Sequence, residues 1–196
     1  MPTVLRKMMN RLNAVAGIGI ERTLFYELGA GEPVPDLPLA ADLTVIRVSP
    51  EDAQLLCQAQ YADAGLNRSR FEEGDSCYAA LLAGRLAHHS WVKRRGLQQV
   101  PEAGREYPVQ PGEFWIYHCW TAEWARGKKI YPCVLAHMTR EQFQQGLKLA
   151  RIYTIGSNVA SQHGIARAGF RLCYTLRAFR FGSRCFPIGH GPVAAK

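Results

Sequence analysis

Residues 113–121 read Glu-Phe-Trp-Ile-Tyr-His-Cys-Trp-Thr, and residues 126–132 read Arg-Gly-Lys-Lys-Ile-Tyr-Pro. The first run is apolar or aromatic on both alternating faces. Phe114, Ile116, His118 and Trp120 share one face; Trp115, Tyr117, Cys119 and Thr121 share the other. A strand covered on both sides lies in the middle of its sheet. The second run is a basic turn bearing a glycine. Tyr131, Val134, Leu135 and Met138 then fall at i, i+3, i+4 and i+7, the stripe of a helix lying on that sheet and ending near Gly146. Pro132 is tolerated because it lies in the first helical turn. A strand, a basic turn and a helix in this order aim main-chain N–H groups and a positive dipole end at one spot, which suits a pyrophosphate. A plain helix N-terminus with exposed lysines has the same sequence, so both readings stand at this point.

Further along, residues 150–155 form another short strand. Gly156-Ser157-Asn158 then opens a helix to Ala168, with Gly169 as its left-handed terminator and Phe170 folding back on the helix end. Asn158 is well placed to cap that helix, which contributes about 1 kcal/mol without any ligand.

Read together, these residues resemble the cofactor half of the GNAT (Gcn5-related) N-acetyltransferases. The family's signature is Arg or Gln, two residues, Gly, one residue, then Gly or Ala. Arg126 fills the first position, and Lys129 and Tyr131 occupy the two small ones. Asn158, Gly169 and Phe170 match the family's downstream spacing, and Ile165 stands where the family carries the Tyr that protonates the departing thiolate. The resemblance covers about residues 43–181. It implies an α/β (α+β) fold, a mixed and mostly antiparallel central sheet flanked by helices. It also implies acetyl-CoA, or another acyl-CoA, as co-substrate, with Arg126, Gly127, Lys128, Lys129, Ile130 and Tyr131 cradling the phosphates. Cys119, Trp120 and Thr121 would line the pantetheine arm, and Asn158 would contact it. The implied reaction moves an acyl group, acetyl in the first instance, to a primary amine of a small molecule, with amino sugars as one guess.

For the proton-handling groups the residues leave several readings open. His118 sits mid-strand with an ordinary pKa suited to relaying a proton near neutrality, yet a lone His in an apolar strand is commonly a satisfied core residue. Glu113, at the strand's start, resembles the place where some family members carry a catalytic acid. Tyr174 is a candidate substitute for the missing Tyr. His88 and His89 face opposite sides of the preceding strand, so only one can reach a cleft. No G-x-S-x-G occurs, no Cys has a recognisable partner and no metal site is expected.

At 196 residues and 47% apolar content the chain suits one domain with a substantial core. Six cysteines without a C-x-x-C pair read as reduced core thiols of a cytoplasmic protein. The net charge of +8 is unevenly spread: residues 126–196 hold twelve Lys or Arg against one acid, and the first 125 hold twelve against fifteen. The half that resembles a phosphate-binding one is thus the basic half. Its bland counterpart is a solvated basic face or a docking surface.

Three segments follow from the punctuation. Residues 1–42 read as an N-terminal helical extension and linker, either packed on the domain or resting on an anionic membrane surface. Residues 43–181 form the domain that the resemblance implies is a GNAT-like acyltransferase, and 182–196 a loosely ordered tail. Within the domain, 43–48 is a first strand, Ser49 caps a helix to about Ala62, 65–74 is turn-rich, and Ala83-Gly84 joins a hairpin. Residues 93–112 form either an exposed loop or a lip over the acceptor pocket. Two further readings accompany the transferase: a catalytically silent domain that binds or regulates, and a transferase using aminoacyl-tRNA, which the basic half suits. Otherwise nucleic acid is not an expected partner. The oligomeric state is left open, and a dimer is compatible with the sequence.

Overall fold

The computed structural model describes residues 18–38, 40–60 and 62–192. Its strands are β1 (Gly19–Gly29), β2 (Leu43–Val48), β3 (Ser76–Leu82), β4 (Arg85–Lys93), β5 (Leu97–Val100), β6 (Arg105–Pro108), β7 (Glu113–Thr121), β8 (Leu149–Ile155), β9 (Arg171–Phe181) and β10 (Arg184–Pro192). The helices are α1 (Ala64–Glu72), α2 (Ile130–Gln144) and α3 (Val159–Arg167), and short 3-10 turns follow β2, β5 and β7. Eight strands form one sheet in the order β10-β9-β1-β8-β7-β4-β3-β2, and β5 pairs with β6 in a separate hairpin. Only β7 and β8 run parallel; the other neighbours are antiparallel. This is the mixed, mostly antiparallel sheet that the resemblance implies.

β7 is interior, between β8 and β4. Phe114 and Ile116 pack under α2 and α3, while Trp115 packs on the opposite face with Phe25, Leu176 and Ala178. All three β7 side chains are within 1% of full burial, and such burial contributes about 1.5–3 kcal/mol for each of the two smaller ones. α2 lays Val134, Leu135 and Met138 on the sheet, the stripe expected from their spacing. The β3–β4 hairpin turns at Ala83 and Gly84, both at positive φ (49° and 76°), as a two-residue hairpin loop requires. α3 ends as expected: Gly169 is left-handed (φ 95°), and the Phe170 N–H donates to the Ile165 carbonyl at 3.3 Å.

Five stretches differ from the sequence reading. A strand, β1, stands within the N-terminal stretch read as a helical extension and pairs with both β8 and β9. The earlier part of that extension, with its membrane-surface reading, lies outside the described residues. The tail up to Pro192 pairs with β9 as β10. The helix expected after Ser49 is a short 3-10 turn, Ala53–Gln58, although Ser49 Oγ does accept from the Asp52 N–H at 3.2 Å. Helix α1 occupies the stretch read as turns, with the Asp63 side chain accepting from the Leu66 N–H. Its inward residues, Asn67 and Arg70, are polar, so no apolar stripe announces it. The polar insert at 93–112 contains the β5–β6 hairpin, which covers Phe25 and Trp115 through Val100 and Ala103.

Of the six cysteines, all free, only Cys77 and Cys133 are buried and Cys57 is exposed, so they are not uniformly core thiols. Among the described residues no helix is long and apolar enough to cross a membrane.

Candidate active site

The alternation of β7 breaks at His118. Its backbone is left-handed (φ 48°), and the pairing of β4 with β7 shifts by one between His89/Trp120 and Trp91/Tyr117. This bulge turns Cys119 onto the face shared by Phe114 and Ile116, whereas strict alternation puts it on the opposite face. A bulge leaves no periodic trace in sequence.

The parallel ladder between β7 and β8 stops at the same place. It runs from Glu113/Leu149 to Ile116/Ile152 and no further. Beyond it the strands part, and the main-chain groups of residues 117–121 have no ladder partner on the β8 side among the described residues. The gap runs through the sheet. A cavity of about 660 Å³ is lined by Ile116, Cys119 and Ile152 from the helical face and by Tyr117 and Tyr153 from the other. Arg70 of α1 and Gln98, Gln99 and Glu102 of the hairpin region complete its walls.

A second cavity, about 690 Å³, opens on the helical side. It gathers Cys119, Trp120, Thr121, Arg126, Gly127, Lys129, Tyr131 and Asn158, eight of the ten residues the resemblance assigned to the cofactor. Lys128 is exposed and Ile130 is buried in the core; neither lines either cavity. His163 and Arg167 of α3 join the lining and were not foreseen; their spacing of four on the helix after Asn158 was the available signal. Lys129 begins α2 in the left-handed region (φ 60°, ψ 16°), and no side chain caps the helix start. The first N–H groups there thus lack a side-chain acceptor, next to Arg126, Lys129 and Arg167.

Tyr131, Cys119, Asn158 and Ser161 line both cavities and so mark their junction. The Tyr131 ring packs on Gly164, its hydroxyl lies 3.3 Å from Ser161 Oγ, and its ring centroid is 5.4 Å from that of His88. Burial raises the Tyr131 hydroxyl well above its ordinary pKa and pushes the Cys119 thiol up to about 11, so both stay protonated at neutral pH. Asn158 accepts from the Ser161 N–H at 3.0 Å, the capping role read from sequence.

The three proposed proton-handling residues are not brought together. His118 lines the 660 Å³ cavity, with its Nδ1 3.4 Å from His89 Nε2. Burial, then the Arg70 charge, lowers its pKa. Glu113 sits at the other end of β7, 3.2 Å from Arg151, and lines neither cavity. Tyr174 stacks on Phe25 (centroids 4.4 Å apart) in the cluster beneath the hairpin and also lines neither. Of the two adjacent histidines, His88 is enclosed between Thr121 and Ser90, and His89 turns toward His118, on opposite faces as expected. Burial depresses both to about 3. Among the described residues no cluster of His, Cys, Asp or Glu has the makings of a metal site.

No protein-family model matches the sequence, and no curated protein matches it. Solved structures do. A GCN5-related N-acetyltransferase from Sphaerobacter thermophilus is 14% identical with a TM-score of 0.61, covering 91% of this chain and 57% of its own. An acetyltransferase of the GNAT family from Colwellia psychrerythraea is 19% identical at 0.57, covering 89% and 61%. A GCN5-related N-acetyltransferase from Kribbella flavida is 17% identical at 0.56, covering 89% and 63%. The chain has the fold of the GNAT superfamily, and spans about three fifths of the length of these three structures.

Proposed function

We propose that the protein is an N-acyltransferase that moves an acyl group, acetyl in the first instance, from acyl-CoA to a primary amine of a small-molecule acceptor. The observation that carries this reading is the parting of β7 from β8 at the His118 bulge, beside an uncapped and basic helix start. An unpaired strand edge suits the amides of a pantetheine arm, and the uncapped N–H groups with Arg126, Lys129 and Arg167 suit a diphosphate. Tyr131, where the family has a small residue, stands at the junction and leaves the basic cavity its 690 Å³. These residues therefore fit the co-substrate, which when bound supplies the activated acyl group.

The chain's own residues then divide the work. The acceptor occupies the 660 Å³ cavity, and His118, neutral at pH 7 because its pKa is lowered, takes the proton that the amine loses. Tyr131 takes over the role of the absent α3 tyrosine: its hydroxyl, at the junction and protonated, supplies the proton for the departing sulfur. The position of that missing residue, Ile165, is fully buried. Glu113 and Tyr174 have no part in this scheme.

Calorimetric titration with acetyl-CoA and thiol release across an amine panel test the reading. Lys129→Glu weakens acetyl-CoA binding through charge. Tyr131→Phe lowers kcat about a hundredfold with acetyl-CoA affinity retained. Absence of acetyl-CoA binding at millimolar concentration overturns the assignment. Binding without turnover of any amine favours a silent module, the reading that the burial of Ile165 supports. A cytoplasmic location accompanies the use of acyl-CoA.

A further inference from the structure

The 660 Å³ cavity is lined by a buried cation that has no direct ion-pair partner among the described residues. Arg70 is 8% exposed, on the inward face of α1. Its guanidinium lies 5.0 Å from the Trp91 ring and 5.4 Å from the Tyr117 ring, at the cavity wall. Its only hydrogen bond among the described residues is a long one, 3.4 Å, to Asn67 Oδ1. No carboxylate forms an ion pair with it there. The two nearby acids, Glu73 and Asp75, share one lysine instead, with Lys93 Nζ 2.9 Å and 3.0 Å away, and reach Arg70 only through the longer-range field that lowers the Glu73 pKa, behind its Lys93 bond. A buried guanidinium without a direct ion pair is costly, and one retained in a cavity wall is poised for an anion that arrives with a ligand.

The hairpin side of the same cavity supplies an independent observation. Glu102 lines it, and Glu102 Oε2 is buried without a hydrogen-bond partner among the described residues. The cavity therefore offers unpartnered groups of both signs. A simple amino sugar carries no anionic group to pair with Arg70, whereas an amino acid carries both an amine and a carboxylate.

We infer that the acceptor is an amine bearing a carboxylate, of the amino-acid class, and that Arg70 grips the carboxylate through its two-pronged guanidinium. This rests on the acyltransferase reading for the fate of the amine, though recognition of the carboxylate does not depend on acyl transfer. The Arg70 charge also lowers the pKa of His118, so the group that fixes the acceptor helps hold the base neutral.

The test is direct binding, by saturation-transfer NMR and calorimetry on the full chain. It compares amino acids with their decarboxylated counterparts, phenylalanine against phenethylamine and lysine against cadaverine, with glucosamine alongside. Amino acids bind and their decarboxylated partners bind at least about thirtyfold more weakly. Arg70→Gln removes the difference and leaves acetyl-CoA affinity unchanged. Should that variant fail to fold by circular dichroism, Arg70→Lys keeps the charge and loses the fork, and gives an intermediate preference. Equal binding of each pair, or equal binding of glucosamine, overturns the inference. Acetyl-CoA titration is read separately: its failure removes the transferase reading, while a carboxylate preference dependent on Arg70 still stands as found.

Discussion

The ring of Tyr131 lies directly against Gly164. A Cβ added to Gly164 would sit 2.5 Å from Tyr131 Cδ1 and 2.9 Å from Cε1. The glycine is what lets the tyrosine reach across from α2 to Ser161 on α3, at the junction of the two cavities. Within a helix, Gly→Ala ordinarily stabilises by about 0.5–1 kcal/mol. Here Gly164→Ala forces the ring aside and destabilises by about 1–3 kcal/mol, the usual range for overpacking. Urea denaturation measures it. Adding Tyr131→Ala to Gly164→Ala recovers the loss that is due to the clash; a clash unrelated to Tyr131 leaves the double variant no better.

Why some of this was legible in sequence and some was not has a physical answer. The segment from β7 to Phe170 repeats its structure in its composition: a doubly covered strand is apolar throughout, α2 carries a 3.6-residue stripe, and Gly169 marks a left-handed terminus. The residues that line the 690 Å³ cavity could be read because most of them lie along that segment. β1 escaped because Leu24, Phe25 and Tyr26 are all buried in succession, so it shows no alternation, and its partners on β8 are 120 or more residues away in the chain. α1 escaped because the residues it turns inward are Asn67 and Arg70. That failure is informative, since a helix burying polar groups is built around something other than packing. The His118 bulge and the junction role of Tyr131 depend on register and through-space contact, which a single sequence does not encode locally.

Lys129 is a lysine in a conformation that suits glycine. Its φ of 60° and ψ of 16° put it in the left-handed region at the head of α2, at a cost of about 1 kcal/mol for a residue with a Cβ. Lys129→Gly relieves this and raises stability by about that amount in urea denaturation. It also deletes a cation lining the basic cavity, so acetyl-CoA binding weakens by about fivefold, the scale of an exposed charge pair. Stability and affinity move in opposite directions. If affinity is unchanged, Lys129 is not part of the phosphate cradle.

His118 gives a pH signature. Burial and the Arg70 cation both disfavour its protonated form, so its folded pKa lies below 6.5. The imidazole is therefore neutral at pH 7, and it gains its proton only as pH falls through that lowered value. Base function is lost on the acidic side, with the limb of kcat/KM below 6.5. Replacing Arg70 by Gln removes the second cause and leaves the first, so the pKa moves up toward 6.5 without passing it. Titration of the His118 ring protons by NMR in both proteins measures this independently of turnover. A shift downward, or none, contradicts a field from Arg70 at His118.

The final prediction concerns the ion pair under the cavity floor. Asp75 has a side chain only 1% exposed, and its Oδ2 faces Lys93 Nζ at 3.0 Å and accepts from the Tyr117 hydroxyl. Its other oxygen, Oδ1, has no partner among the described residues. Burial alone depresses the Lys93 ammonium, but its bonds to Glu73 and Asp75 outweigh that and raise its pKa overall, keeping it charged. Lys93→Met keeps the stem and deletes the charge, which strands a buried carboxylate and costs about 3–5 kcal/mol. Asp75→Asn in the same chain removes the stranded charge, so the double variant is more stable than Lys93→Met alone, and the urea midpoints of the four proteins close the cycle. Because Tyr117 leans on Asp75 and carries Arg70 over its ring, Lys93→Met also loosens the wall that holds Arg70. The preference for carboxylate-bearing amines then narrows in Lys93→Met even under conditions where the protein stays folded.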